Sequence, residues 1–410
     1  MDEFNKPLSG LVTPRFGAIA TFMRMPHVSL EDAKGIDIGL VGIPWDGGTT
    51  NRPGPRHGPR QMRDMSSMVR PMHQISHVVP SKLANIADLG DCPVNPADVM
   101  DGLKRVETYF KKLVAKGIRP LSAGGDHLCS LPVLRAVGEK QPVGMIHFDA
   151  HTDLYDGYFG GFKYTHGTPF RRAIEEGVLD PKRTIQIGLR GSMYDLDDFE
   201  WGEKMGIRMV RIEEVMEKGH KAIMAEARRI VGDGPTYVSF DIDMLDPAYA
   251  PGTGTPEIGG FTTFQAQQML REMRGLHIVG GDVVEVSPPF DPSGVTAHAG
   301  VTMMFEILCP MAEDVAKCRG KTPSRLLPLL QREKKGPVAE RNGEMREGQT
   351  GMFRNTGPSP PPTSLGPLPL PPCGRGRKAS PSLERRHALA RQLIGAFVVV
   401  VARVALHPVP

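Results

Sequence analysis

The sequence predicts an α/β fold built on one parallel sheet, and three observations carry that prediction. Between residue 35 and about residue 316, short β-branched or apolar runs alternate with longer helical patterns, the arrangement of successive βαβ units. Of the 410 residues, 40% are hydrophobic and 23% charged, enough apolar side chain to bury a large core and too much for a chain disordered throughout. Histidine and aspartate cluster after several of the apolar runs, and the carboxyl ends of strands are where open α/β sheets hold their ligands.

Taken in order, the strand candidates are 36–43, 84–86, 119–122, 143–148, 184–187, 236–240 and 278–286. Helical periodicity covers 59–69, 96–116, 131–137, 169–176, 212–231, 262–273 and 297–311. Right-handed crossovers between parallel strands would place these helices on both faces of the sheet. Residues 1–319 read as one catalytic domain, large for a single core. The composition then changes: 14 of the 38 prolines fall in residues 320–410, including Pro358-Ser359-Pro360-Pro361-Pro362. Apolar periodicity lapses between 336 and 381, so 320–410 is expected to be a disordered, Pro-rich basic extension that the activity does not need.

Charge divides along the same boundary. The formal net charge is +4, yet 15 Lys/Arg against 5 Asp/Glu in 320–410 leave residues 1–319 at −6. The body therefore offers no electrostatic footing for nucleic acid. Five scattered cysteines without a CxxC pair argue against a disulfide scaffold or a zinc–thiolate site and fit a reducing compartment. The start, Met1-Asp2-Glu3-Phe4-Asn5-Lys6, has no signal- or transit-peptide pattern, and a cytoplasmic location is expected. The apolar stretch 393–406 is interrupted by Arg403 and is shorter than the roughly 20 residues a bilayer needs, so no membrane partner is expected.

Three segments concentrate chemistry: Gly124-Gly125-Asp126-His127, Asp149-Ala150-His151-Thr152-Asp153 and Asp241-Ile242-Asp243-Met244-Leu245-Asp246-Pro247. In a chain leaving a strand still extended, side chains at i, i+2 and i+4 share a face. Asp149, His151 and Asp153 would converge in this way, as would Asp241 and Asp243. With His127 they make two imidazoles and four carboxylates in one cleft. Carboxylates crowded together raise one another's pKa unless cations neutralise them. A hard, thiolate-free donor set suits Mn²⁺ and other first-row divalent ions, and two such ions generate a hydroxide near neutral pH.

These segments resemble the signature motifs of the ureohydrolase (arginase/agmatinase) family, over about residues 7 to 315. The resemblance implies a three-layer α/β/α arginase-like fold with a parallel eight-stranded sheet. It also implies two Mn²⁺ per subunit, hydrolysis of a guanidino group to urea and an amine, and a homo-oligomer, hexamer or trimer. Asp149 and Asp241 would bridge the ions, His127 and Asp153 complete one, and His151 and Asp243 the other. His166, in Tyr164-Thr165-His166-Gly167-Thr168, resembles the family's proton-shuttling histidine, and Glu285 the carboxylate that holds the guanidinium. Asp153 would also stabilise the tetrahedral intermediate. Ni²⁺ or another divalent metal would suit the same carboxylate and imidazole ligands. Leu128-Cys129 stands where many members have Ser after the histidine, which leaves the ligands intact but changes the hydrogen bonding around them.

The loops resemble the agmatinase and guanidino-acid hydrolase branch, nearest its guanidinopropionase group, through Pro44-Trp45-Asp46-Gly47-Gly48-Thr49-Thr50-Asn51-Arg52 and Arg56-His57-Gly58-Pro59-Arg60. The resemblance makes Tyr158 a chain-length selector, whose bulk favours 3-guanidinopropionate, cleaved to urea and β-alanine, over longer guanidines. Asn51, Arg52 and His57 are candidate contacts for the substrate carboxylate. Agmatine, 4-guanidinobutyrate and other small guanidines or biguanides are the alternative substrates, and a catalytically silent scaffold subunit is the alternative of a different class.

Overall fold

The computed structural model of the chain describes residues 4–320; the Pro-rich extension expected from the sequence lies outside the described residues. Eight strands form one sheet: β1 Ile38–Gly42, β2 Ile86–Asp91, β3 Arg119–Ala123, β4 Val143–Phe148, β5 Leu179–Leu189, β6 Arg208–Arg211, β7 Thr236–Asp241 and β8 Ile278–Val284. Their order is β2-β1-β3-β8-β7-β4-β5-β6, and every pairing is parallel.

Ten α-helices are described: α1 Gly58–Met65, α2 Pro80–Leu83, α3 Val99–Ala115, α4 Ser130–Val137, α5 Pro169–Glu175, α6 Asp197–Met205, α7 Ile212–Lys218, α8 His220–Val231, α9 Thr263–Arg271 and α10 Val295–Cys318. Because strand side chains alternate between faces, the sheet serves two cores. On one face Ile38, Leu40, Ile146, Phe148, Val238 and Phe240 pack against α1 and α7 to α10. On the other, Val41, Val143, Met145 and Tyr237 pack against α3, α4 and α5. Strands covered on both faces read as near-continuous apolar runs, which is why β4 and β7 stand out in the sequence. The result is the three-layer α/β/α arrangement with a parallel eight-stranded sheet.

The differences from the sequence reading have physical reasons. The second strand is Ile86–Asp91, not 84–86, because its acidic end at Asp88 and Asp91 hides the strand pattern; Asp88 is satisfied there by Arg63. The predicted helix 212–231 is two helices, broken at Gly219, whose φ of +81° leaves the helical region. β6, four residues with an arginine at each end, was not expected. It is an edge strand, where charge is tolerated and even useful. Helix α10 is long and apolar enough to cross a membrane by composition, but 78% of its apolar window is buried inside the protein.

Glu306 on α10 meets Arg271 on α9 (Nε–Oε2 3.0 Å) and His73 (Nε2–Oε2 3.1 Å). Burial pushes the Glu306 carboxyl up, but His73 and Arg271 outweigh it and hold its pKa below the ordinary range. A group depressed in the folded state contributes stability above its unfolded pKa, about 4.3, and loses it as pH falls through the folded value. Glu306→Gln should therefore cost about 3 kcal/mol at pH 7, because Arg271 loses its counter-charge. Thermal melts should show a smaller difference between pH 7 and pH 3 in the variant than in the parent; an unchanged acid sensitivity would contradict this.

Candidate metal centre

Four central strands, adjacent as β3-β8-β7-β4, deliver the chemistry at their carboxyl ends. After β3 the chain turns through Gly124-Gly125, and a Cβ on Gly125 would lie 1.5 Å from the Trp45 carbonyl oxygen, so no side chain fits. Asp126 then accepts from the Leu128 N–H and caps the short 3-10 turn that carries His127. After β7, Asp241 accepts from the Asp243 N–H at 2.8 Å and Asp243 from the Ala150 N–H at 3.2 Å, which fixes both carboxylates of the DxD pair. Asp153 and Glu285 sit at φ +54° and +62°, a left-handed conformation uncommon outside glycine. Such strain persists where the surroundings impose it, and often at functional sites.

His127 Nδ1 lies 3.1 Å from Asp149 Oδ2, 2.9 Å from Asp153 Oδ2 and 3.1 Å from Asp241 Oδ2. Its other nitrogen, Nε2, is 2.8 Å from Ser239 Oγ. The Ser239 hydroxyl donates to Asp282 Oδ1 at 2.7 Å, so the serine oxygen must accept and Nε2 must carry the hydrogen. Nδ1 is buried and has no hydrogen-bond partner, facing three carboxylate oxygens. Only positive charge between them, a proton or a metal ion, makes that geometry favourable.

A second group shares Asp149. His151 Nδ1 is 3.4 Å from Asp149 Oδ1 and 3.1 Å from Asp243 Oδ2, and the three donors lie close enough together to hold one ion. The His151 side chain is 28% exposed, while Asp149 and Asp243 are buried, so this half of the cluster opens to the cleft. The local charges agree with the geometry. Burial, then Asp243 and Asp149, push Asp241 well up; burial and Asp149 raise Asp243 to about 6. Burial opposes charge on His127, but Asp153, Asp149 and Asp241 outweigh it and raise its pKa well above the usual value. All six ligands expected from the sequence come together here, and the donor set fits hard divalent cations.

Beneath the ligands runs a feature that the sequence reading missed. Ser122, Asp282, Ser239, His147 and Gln186 are register partners across β3, β8, β7, β4 and β5. All five are buried, forming a polar row under the ligands. Asp282 accepts from the hydroxyls of Ser130, Tyr237 and Ser239, each at 2.7 Å. The i−2 relation could have found two of these residues, since His147 and Ser239 stand two positions before Asp149 and Asp241 on the same strand faces.

His166 and Glu285 adjoin the cluster. His166 Nδ1–H donates to Glu285 Oε1 at 2.9 Å, and Thr50 Oγ1 lies 2.7 Å from Nε2. Burial opposes charge on the ring, but Glu285 outweighs it and lifts the pKa to about 9. Glu285 Oε1 also accepts from the His127 N–H at 2.9 Å, whereas Oε2 is buried without a partner. A Cβ on Gly254 would lie 3.5 Å from that oxygen, so glycine keeps the space before it open. Tyr158 packs on Tyr155 and Tyr194, with ring centroids 5.5 and 6.2 Å away, and its hydroxyl lies over Gly167, next to His166. Asn51, Arg52 and His57 are exposed, and the Arg52 guanidinium stacks 4.9 Å over the Phe290 ring. From that loop it is Thr50, not singled out in the sequence, that reaches His166.

Ser239→Ala should leave His127 Nε2–H without its acceptor and weaken divalent-metal retention about 10- to 100-fold. Competition with a chelator measures it, and unchanged retention would contradict the role of the hydroxyl.

The Arginase family model matches residues 36–309. The chain is 58% identical over 316 residues to the guanidinopropionase of Pseudomonas aeruginosa, covering 77% of this chain and 99% of that one. It is 47% identical over 312 residues to the guanidinobutyrase of the same organism, covering 75% and 98%. The solved structure of proclavaminate amidinohydrolase from Streptomyces clavuligerus superposes with a TM-score of 0.71 at 37% identity, covering 74% of this chain and all of that one. With matches of this extent over the same segments that carry the His/Asp cluster, the chain belongs to the arginase family and is a hydrolase of amidine carbon–nitrogen bonds.

Proposed function

We propose that the protein hydrolyses 3-guanidinopropionate to urea and β-alanine. The observation that carries this reading is the unpartnered Glu285 Oε2, buried beside the metal cluster. A buried carboxylate oxygen without a partner is a ready receptor for a planar cation, which a fixed anion orients. Two Mn²⁺ ions held by His127, Asp149, His151, Asp153, Asp241 and Asp243 would supply activated water and charge stabilisation. Glu285 binds and orients the guanidinium. His166 holds a proton on Nδ1 against Glu285 Oε1, while Nε2 accepts from the Thr50 N–H at 3.3 Å and lies 2.7 Å from the Thr50 hydroxyl. That proton goes to the departing amine, which is otherwise a very poor leaving group. Water adds to the guanidino carbon, the carbon–nitrogen bond to the chain breaks, and urea and the amine leave.

Substrate length is the role we give to Tyr158. Its ring is braced by Tyr155 and Tyr194 and its hydroxyl lies over the residue after His166, where a bulky phenol beside the proton donor would limit the length of a substrate chain. The greater identity to a guanidinopropionase than to a guanidinobutyrase points the same way. Four described cysteines, Cys92, Cys129, Cys309 and Cys318, are free thiols, which supports a reducing, cytoplasmic location. A homo-oligomeric assembly completes the reading.

Urea release over 3-guanidinopropionate, 4-guanidinobutyrate, agmatine and arginine tests the substrate, with the highest kcat/KM expected for 3-guanidinopropionate. A clear preference for agmatine would sink it. Tyr158→Ala should shift the ratio toward 4-guanidinobutyrate by about tenfold, the worth of roughly one methylene. His166→Asn should lower kcat about 100-fold or more while leaving bound metal unchanged, and a kcat near that of the parent would remove the proton-holding role.

A further inference from the structure

The polar row contains a histidine that the reaction does not use. His147 is fully buried on β4, with its ring 4.5 Å from that of Phe170. Its Nε2 is 2.8 Å from Asp149 Oδ2, and its Nδ1 is 3.1 Å from Gln186 Nε2. The same Gln186 nitrogen is 2.6 Å from the Thr152 carbonyl oxygen. That contact settles the chemistry. An amide oxygen at 2.6 Å from a carbonyl oxygen would be repulsive, so the group is the NH₂, and its two hydrogens go to Thr152 O and to His147 Nδ1. His147 Nδ1 therefore accepts, and Nε2–H donates to Asp149.

We propose that His147, locked in this tautomer by Gln186, is a positioning residue for Asp149, the carboxylate that both halves of the metal cluster share. Both ring nitrogens are committed, so His147 lies beside His127 and Asp149 without a lone pair to offer a metal. It delivers a hydrogen bond without a net charge. An imidazolium at this place would oppose the bound cations, and an apolar side chain would leave Asp149 free to turn. With Oδ2 held by His147 and Oδ1 accepting from the His151 N–H at 2.6 Å, the carboxylate plane is fixed. One oxygen then faces His127 and the other His151. Gln186 reaches the same loop through Thr152 O, so one amide sets both the tautomer of His147 and the path of the chain between His151 and Asp153.

The inference rests on the reading of Asp149 as a metal ligand, and the test separates the two. Full-length protein loaded with Mn²⁺ is titrated with a chelator, and free Mn²⁺ is followed by its aqueous paramagnetic resonance signal. His147→Phe should retain Mn²⁺ about 10- to 100-fold more weakly than the parent, in the range for removing a partner of a ligand. His147→Gln, whose amide N–H replaces Nε2–H, should bring retention back to within about threefold of the parent. Gln186→Leu should give an intermediate loss, and it carries the test if His147→Phe does not fold by circular dichroism. Mn²⁺ retention in His147→Phe or Gln186→Leu equal to that of the parent overturns the proposal, as does a lowered melting temperature of the metal-free protein with affinity unchanged. Asp149→Ala is the control: if it too retains Mn²⁺, the ligand reading falls, whereas loss in Asp149→Ala alone defeats only the positioning role.

Discussion

Three carboxylates converging on one buried imidazole nitrogen, with a fourth on the neighbouring imidazole, are the constraint from which the site follows. His127 Nδ1 sits about a hydrogen bond's length from oxygens of Asp149, Asp153 and Asp241, and Asp243 completes the set through Asp149 and His151. Without positive charge this arrangement would push itself apart. The protein does not relieve the repulsion by moving the carboxylates away. It holds Asp149 with His147 and the His151 N–H, Asp241 with the Asp243 N–H and Asp243 with the Ala150 N–H, and it holds His127 with Ser239.

The bracing depends on the sheet. Parallel strands paired in one register put Ser122, Asp282, Ser239, His147 and Gln186 side by side, so hydrogen bonds run along the row and upward to the ligands. A buried polar network of this kind is favourable only when its members are satisfied. Asp282 meets that demand by taking three hydroxyl hydrogens. The aromatic ring of Phe170, 5.0 Å from the His127 ring and 4.5 Å from that of His147, closes the apolar side and limits the motion of both imidazoles.

Much of this could be read from residues alone. β4 and β7 were visible because strands covered on both faces are continuously apolar; the i, i+2, i+4 spacing marked Asp149, His151 and Asp153 as a group, although the chain there is not extended but bends at Ala150 and His151 and turns left-handed at Asp153. His166 and Glu285 came only by resemblance. Nothing in local spacing ties positions so far apart, and their meeting at 2.9 Å is a product of the loops after β4 and β8. Thr50 and Gln186 were invisible for the same reason, since a threonine in a glycine-rich loop and a glutamine in a strand have no pattern until the register is known. β6 escaped because its four residues carry too little apolar signal to exceed that of an ordinary turn. Asn51, Arg52 and His57 are exposed on their loop, and the Arg52 carbonyl lies beside Gly254, the glycine that faces Glu285 Oε2.

The strand order β2-β1-β3-β8-β7-β4-β5-β6 has a consequence for how the molecule is made. When β6 has left the ribosome, β3 and β4 have been synthesised but cannot be neighbours, because the two strands that belong between them are still to come. Their facing edges stay open until β7 and β8 insert, and open edges invite association with other chains. Such late, non-local pairing is also slow. His127 and Asp149 thus follow strands that cannot share one sheet until β7 and β8 have been made, which places the joining of the His/Asp cluster after residue 284. A chain cut short before β8 would carry all six side chains of the cluster but lack Asp282 and Glu285, and the six would have no common floor on which to meet.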